Sequence, residues 1–318
     1  MIKFNNVTTF ELPTKTSNGG DFVLPMDGEL NELLSQMQIF PCGAHETFRQ
    51  GFVPFSDEQY FLTVNEYIYL IYQENTKKIP PSVIRDRLIE AVENIEKTQE
   101  RKVGRKEKIE LKERIVFELL PSIIQSSKRV SVIIDTNNNL VHVGDGSANK
   151  SEDVCGAIRK ALGTFPVKHK SNDGWNYIGR KFSNWIVNDM KPLGQEFMLG
   201  DSCEISLGEA GKVKVSGTSI TSENVVNHLI ETSAIPTRIN LFSDDGVTFD
   251  LNITETNILS IKKLKVGDID AKREELGVGD DSEYDENEQK AAENAADVII
   301  YGSLLKKLWG LLDAEFNN

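Results

Sequence analysis

Apolar residues recur along the chain with two different periods, and the switching between them predicts mixed α and β structure. Near the start, Leu30 to Met37 has helical spacing, turns fall at Pro41-Cys42-Gly43 and at Pro54, and Tyr67 to Tyr72 reads as a strand. Lys77-Lys78-Ile79-Pro80-Pro81-Ser82 ends that strand and supplies a helix cap, after which Val83/Ile84, Leu88, Ala91/Val92 and Ile95 recur at helical intervals. Gly104 separates this helix from a second periodic segment, Leu111, Ile115 and Leu119, which stops near Pro121. Each helix has one narrow apolar stripe. At 1.5 Å rise per residue, a helix of about twenty residues is roughly 30 Å long, so the pair is expected to project as an αα-hairpin arm.

Beyond the arm, Val130 to Asp135, Asn137-Asn138-Asn139 and Leu140 to Val143 predict a β-hairpin, followed by a helix from Ser151, as its cap, to Leu162. A second region begins between Thr164 and Gly211, with a helix at Phe182 to Val187. Lys212 to Val215 then alternates as a strand, and Thr221-Ser222-Glu223 opens a helix running through His228. Arg238 to Leu241 and Val247 to Ile253 form a hairpin around Asp244-Asp245-Gly246. Asp268 to Asp297 holds twelve acidic residues against three basic ones and reads as a solvated loop or linker. Val298 to Phe316 closes the sequence as a docking helix with Leu304/Leu305, Leu308/Trp309 and Leu312 on one face. No internal repeat is visible.

Composition changes this picture mainly through charge. The chain has 318 residues and a net charge of −13, with 39% hydrophobic and 27% charged residues, an ordinary globular balance. No apolar run approaches the roughly 18 residues of a membrane helix, and Met1 to Glu11 lacks the basic-then-apolar order of a secretory signal, which predicts a cytoplasmic protein. Three widely spaced cysteines, Cys42, Cys155 and Cys203, give no disulfide framework and are expected as buried thiols. Against the acidic whole, Lys77 to Arg129 carries fourteen basic and nine acidic residues, net +5, with Arg101-Lys102 and Arg105-Lys106 flanking the helical turn. Taken alone, such a charge-rich pair is also what a solvated face with i,i+4 ion pairs looks like.

Reactive chemistry finds little support. Gly144-Asp-Gly-Ser-Ala-Asn-Lys150-Ser151 stands where a phosphate loop would, but Asn149 occupies the position before the lysine where that loop needs glycine. His45, His142, His169 and His228 are dispersed and no Cys-x2-Cys pair exists, so no metal centre is expected. Acids for a two-metal nuclease would have to come from scattered positions, and Cys42 with His45 is a local coincidence at a turn. Neither a catalytic residue nor a cofactor is expected.

A set of segments in fixed order does carry a resemblance: Phe40-Pro-Cys-Gly, Gly51-Phe-Val-Pro, Lys78-Ile-Pro-Pro-Ser-Val-Ile, Glu118-Leu-Leu-Pro, Ile134-Asp-Thr-Asn-Asn-Asn-Leu, Ile158-Arg-Lys-Ala-Leu-Gly-Thr-Phe-Pro-Val, Ile220-Thr-Ser-Glu and Asn227-His. In order and spacing they resemble the RdgC family of bacterial recombination-associated DNA-binding proteins, over nearly the whole chain. The resemblance implies an α+β fold of several mixed sheet/helix subdomains with the projecting hairpin arm. The central domain would comprise residues 1–76 and 122–168, the helical tip 77–121 and the base 169–318, with an acidic insertion at 268–297. It further implies a crescent-shaped monomer that closes into a homodimeric ring around duplex DNA, single-stranded DNA also being bound, and that restrains RecA-dependent strand exchange as a nucleoid-associated protein.

On that resemblance, phosphate contacts fall to Arg101, Lys102, Arg105, Lys106, Lys108, Lys112, Lys128, Arg129 and Lys150. The family's basic strand tip before the Thr-Ser-Glu helix start is replaced here by Ser216-Gly217-Thr218, leaving Lys212, Lys214 and Thr218 as contacts. An aromatic residue of the family's dimer interface is matched by Ile124. Residues near Ser171 to Lys181 and the acidic 280s look like insertions. Two rival expectations remain: a metal-dependent exonuclease, and an acidic 280s segment that docks a basic partner.

Overall fold

A computed structural model of the chain describes every residue except 1, 16–18, 26, 56–57, 171–174, 233, 255–257, 279–285 and 317–318. The first half contains β1 (Val7–Glu11), α1 (Asp27–Ser35), β2 (Phe48–Val53), β3 (Phe61–Val64), β4 (Tyr67–Thr76), α2 (Pro81–Gln99), α3 (Arg105–Leu119), β5 (Ser126–Asp135), β6 (Leu140–Val143) and α4 (Ala148–Leu162). The second contains β7 (Lys168–His169), α5 (Trp175–Val187), β8 (Met198–Ser206), β9 (Lys212–Ser216), α6 (Glu223–Thr232), β10 (Ile235–Phe242), β11 (Thr248–Ile253), β12 (Leu259–Lys265), α7 (Ile269–Glu275) and α8 (Glu286–Phe316).

All twelve strands join one antiparallel sheet in the order β2-β4-β5-β6-β1-β12-β11-β10-β8-β9, with β3 on β4 and β7 also on β1. The sheet runs unbroken through residues assigned above to a central and a base domain. Strand β1 is the bridge: Thr9 pairs with His142 of β6 on one side, and Val7 with Ile261 of β12 on the other. The expected hairpins are present, with Asn139 and Gly246 taking the positive φ their turns need, at 52° and 81°.

Because side chains alternate across a strand, cross-strand partners share a face, and one row of partners can be followed across the sheet. Leu70, Val132, Val143, Thr8, Ser260, Asn252, Arg238, Glu204 and Lys214 are successive partners from β4 to β9. The row is apolar as far as β6 and polar from β1 onward. Its apolar part packs under α1 and α4 through Leu30, Leu34, Val154 and Ile158. Among the described residues no helix core covers its polar part. On the opposite face, Val7, Ile261, Leu251, Ile239, Cys203 and Val215 form an apolar row beneath α5, α6 and α8. Strands β4 to β6 are therefore covered on both faces and read as continuous apolar runs, whereas β8 to β12 are covered on one face and alternate.

Several boundaries differ from the sequence reading. Helix α2 starts at Pro81 with Pro80 as its cap residue and no side-chain cap, so Ser82 lies inside the helix. Helix α4 starts at Ala148, where Ser147 accepts from the Lys150 N–H; Ser151 is buried in the first turn and donates its hydroxyl to the Asp145 carbonyl. Most of the described acidic stretch is helical rather than loop: Asp268 caps α7, residues 276–278 turn out of it, and residues 286–297 are the opening turns of the 31-residue helix α8. The expected run Asp280 to Asp285 and the Ser171 end of the other insertion lie outside the described residues. Cys42 is half-buried rather than buried, while burial pushes the Cys155 and Cys203 thiols up to about 12 and about 11.

The two helices of the basic segment leave and re-enter the sheet at paired residues, Thr76 of β4 and Ser126 of β5, making them one excursion between neighbouring strands. Helix α2 has no buried residue, and α3 buries Leu111 and Ile115. The two helices lie side by side, with Glu90, Ala91 and Asn94 of α2 and Ile115, Glu118 and Leu119 of α3 lining a shallow hollow between them. Their connection turns at Glu100, in the left-handed region, and is pinned by the Val103 N–H donating to Glu96.

Candidate nucleic-acid interface

The polar half of the sheet face carries most of its charge as cations. Glu204 of β8 meets Lys212 at 3.2 Å, Arg238 at 3.4 Å and Lys214 at 3.9 Å. Asp250 of β11 meets Lys263 at 3.0 Å and Arg238 at 3.7 Å. Burial opposes ionisation of Glu204, but the Lys212 hydrogen bond and the Arg238, Lys212 and Lys214 charges outweigh it and hold the carboxyl below its usual range. Lys262 is half-buried beside them, and among the described residues no carboxylate lies within 4.0 Å of it. Desolvation, followed by the Arg238 charge, pushes its pKa down. A bulge between β11 and β12, with Lys263 at φ 52°, lets the consecutive residues Lys262 and Lys263 both serve this face. Five cations thus surround two carboxylates, net +3, around a polar hollow of about 460 Å³.

This surface continues onto the start of α4. A Cβ on Gly146 would lie 3.4 Å from Lys262 Cε, so the turn before α4 abuts the cluster. Lys128, opposite Glu74 in the register, bonds Asp145 at 2.5 Å, and Lys150 is paired with Glu74. The Lys150 ammonium in the phosphate-loop look-alike is therefore held by a carboxylate. Of the residues named from sequence, Lys128, Lys150, Lys212 and Lys214 come together on one side of the sheet. Arg129 points to the other face and donates Nε–H to Gln73. Thr218 is exposed just beyond β9. Arg238, Lys262 and Lys263 belong to no motif; their sequence signal is a basic residue beside Ile239 and a Lys-Lys pair between Ile261 and Leu264.

On the helical pair, charge and availability differ. Arg101 forms a two-pronged bond to Glu107, 2.7 Å on each arm, and Lys102 bonds Glu96 at 2.8 Å. Arg105, Lys106, Lys108 and Lys112 are exposed, with no carboxylate within 4.0 Å among the described residues. Arg105, Lys108 and Lys112, at i, i+3 and i+7, share one side of α3. Ile124, just past that helix, is 92% exposed; Phe117 is also exposed, its ring stacked on His45 at 3.7 Å rather than leaving the histidine to Cys42. Among the described residues no three histidine, cysteine or carboxylate side chains converge as metal ligands, and no helix is long and apolar enough to cross a membrane.

Residues 2–318 match the family profile described as "Putative exonuclease, RdgC". The chain belongs to the RdgC family. It is 29% identical over 318 residues to the recombination-associated protein RdgC of Xanthomonas campestris pv. campestris (strain B100), covering 98% of this chain and 96% of the relative. The RdgC proteins of Haemophilus influenzae (strain PittGG) and Proteus mirabilis (strain HI4320) are 30% and 28% identical, covering 83% and 84% of this chain and 84% and 85% of theirs.

Proposed function

We propose that this RdgC-family chain is a non-enzymatic, sequence-independent DNA-binding protein of homologous recombination, which closes as a homodimer around duplex DNA and restrains RecA-dependent strand exchange. The observation that carries the DNA-binding part is the uncovered sheet face, a concentration of cations on a protein of net charge −13. Flexible lysines on a sheet face suit phosphates, whose spacing is independent of sequence; four of the five cations are lysines, and the fork of Arg238 is engaged by Glu204 and Asp250 rather than presented to a base edge. The exposed α3 cations extend the same chemistry, and an acidic remainder limits adhesion elsewhere. Exposed Ile124 and Phe117 supply apolar surface for closure between copies. Ring closure and antagonism of RecA come from the family resemblance.

The test is fluorescence anisotropy of labelled random-sequence duplex across a salt series. Log affinity should fall with log salt at about 0.9 per neutralised phosphate, so replacing Lys212, Lys214 and Lys262 by glutamine should flatten the slope by up to about 2.7. Absence of binding at low salt would overturn the reading, and an unchanged slope would remove the sheet face from the contact. End-labelled duplex should remain intact after long incubation with Mg²⁺ or Mn²⁺; loss of label would establish the exonuclease instead.

A further inference from the structure

The other side of the molecule carries a groove of opposite character. It measures about 780 Å³ and lies between the β10–β11 turn, the loop before β8, the end of α7 and the outer side of α8. Its floor is the edge of the helix-side core: Phe197, Val247, Val266, Ile300 and Leu304, with Leu276 exposed at the rim. Phe197 is fixed edge-to-face against Phe249, with ring centroids 5.1 Å apart, so the floor is a packed surface. Six charges stand around it. Lys272 is engaged by Asp245 at 3.7 Å, and Lys307 by Glu196. Asp244 and Glu275 are exposed and, among the described residues, have no cation within 4.0 Å. The rim is therefore left with two uncompensated carboxylates above an apolar bed.

The geometry points to a docking groove for a short segment of another protein in which apolar side chains are flanked by lysine or arginine. An apolar side chain suits the floor, and flanking cations suit Asp244 and Glu275. Phosphate or nucleic acid would meet two like charges there. A second copy docked about a two-fold axis through the groove would bring the acidic rim against itself. Because the floor belongs to the core on the opposite face from the Lys212–Lys262 cluster, the groove and that cluster are separate surfaces, and its occupation does not depend on DNA binding.

The probe is a fluorescein-labelled peptide alternating leucine and lysine, titrated into the full chain beside a glycine–lysine and a leucine–glutamate peptide. The leucine–lysine peptide should bind about tenfold more tightly than either. Asp244→Asn with Glu275→Gln should weaken it about tenfold, and Leu276→Ser, at a rim position that leaves the core intact, should also weaken it. Glu110→Gln with Glu113→Gln, the same charge change on exposed α3, should leave it unchanged. Equal binding of the glycine–lysine peptide, or equal losses from the two double variants, would show mere adhesion to an acidic protein and overturn the proposal. DNA titration of the Asp244→Asn/Glu275→Gln protein separates the two surfaces: duplex affinity should not fall, and a parallel loss of both ligands would refute their independence.

Discussion

Asp297 holds three parts of the fold at one buried point, and its removal has a calculable cost. The carboxylate has no exposed surface and accepts from the Ile2 N–H at 2.8 Å and from Arg273 Nε and Nη2 at 2.8 and 2.9 Å. It thereby fastens the segment before β1 to α7 and α8. The Arg273 side chain is only 8% exposed, and its other partner, Asp270, is 76% exposed and solvent-screened. Asp297→Asn keeps the shape but leaves a guanidinium buried without a buried counter-charge, which costs about 3–5 kcal/mol. With a urea dependence of about 3 kcal/mol per molar, the unfolding midpoint should fall by roughly 1 M or more. Asp297→Leu combined with Arg273→Met removes both charges and should recover most of that loss. A single-variant loss under about 1 kcal/mol, or a double variant no more stable than the single, would refute the assignment of this pair as a buried anchor.

Three further outcomes follow from the packing. Burial depresses His142 to about 3 from 6.5, so it is neutral in the fold and takes up a proton on unfolding below pH 6.5. Stability is then unaffected by this group above pH 6.5 and falls by about 1.4 kcal/mol per pH unit below it, until about pH 3; urea midpoints between pH 5 and 6.5 should drop less steeply for His142→Gln, and parallel profiles would contradict the burial. Gly302 lets α8 approach β4, since a Cβ there would lie 2.8 Å from the buried Tyr67 ring. Gly302→Ala should destabilise by about 1–3 kcal/mol in thermal or urea unfolding despite alanine's better helix propensity. With a thiol-reactive dye, half-buried Cys42 should react in the native protein and Cys155 and Cys203 only on unfolding; three equal rates would count against it.

Local chemistry made much of the fold legible. The β10–β11 hairpin follows from Asp244-Asp245-Gly246 between alternating runs, and α2 and α3 follow from their stripes and from Gly104. Charge counting misled at two places. Acidic composition masks the start of α8, because composition alone makes Asp297 one more solvated acid when it is the buried partner of Arg273. On the helical turn, counting bases did not reveal that Glu107 and Glu96 engage Arg101 and Lys102. The uncovered cationic face was half legible: alternation in β10 and β12 implies one wet side, but bringing Arg238, Lys262 and Lys214 to the same side depends on strand order and register. Those are set by pairings such as Thr8 with Ser260, which no local pattern encodes.

The Thr8–Ser260 pairing joins residues 252 positions apart, so the sheet cannot be completed until most of the chain exists. Strand β1 emerges from the ribosome long before β6, β7 or β12, and the Val7–Thr8 part of its second edge stays open until β12 has been synthesised, since β7 pairs only with Phe10 and Glu11. The nascent chain therefore carries a partly unpaired edge in the middle of its future sheet through most of translation, and joining the two halves is a late, long-range closure. A strand so placed is the position at which a stalled or truncated chain is most exposed to intermolecular pairing.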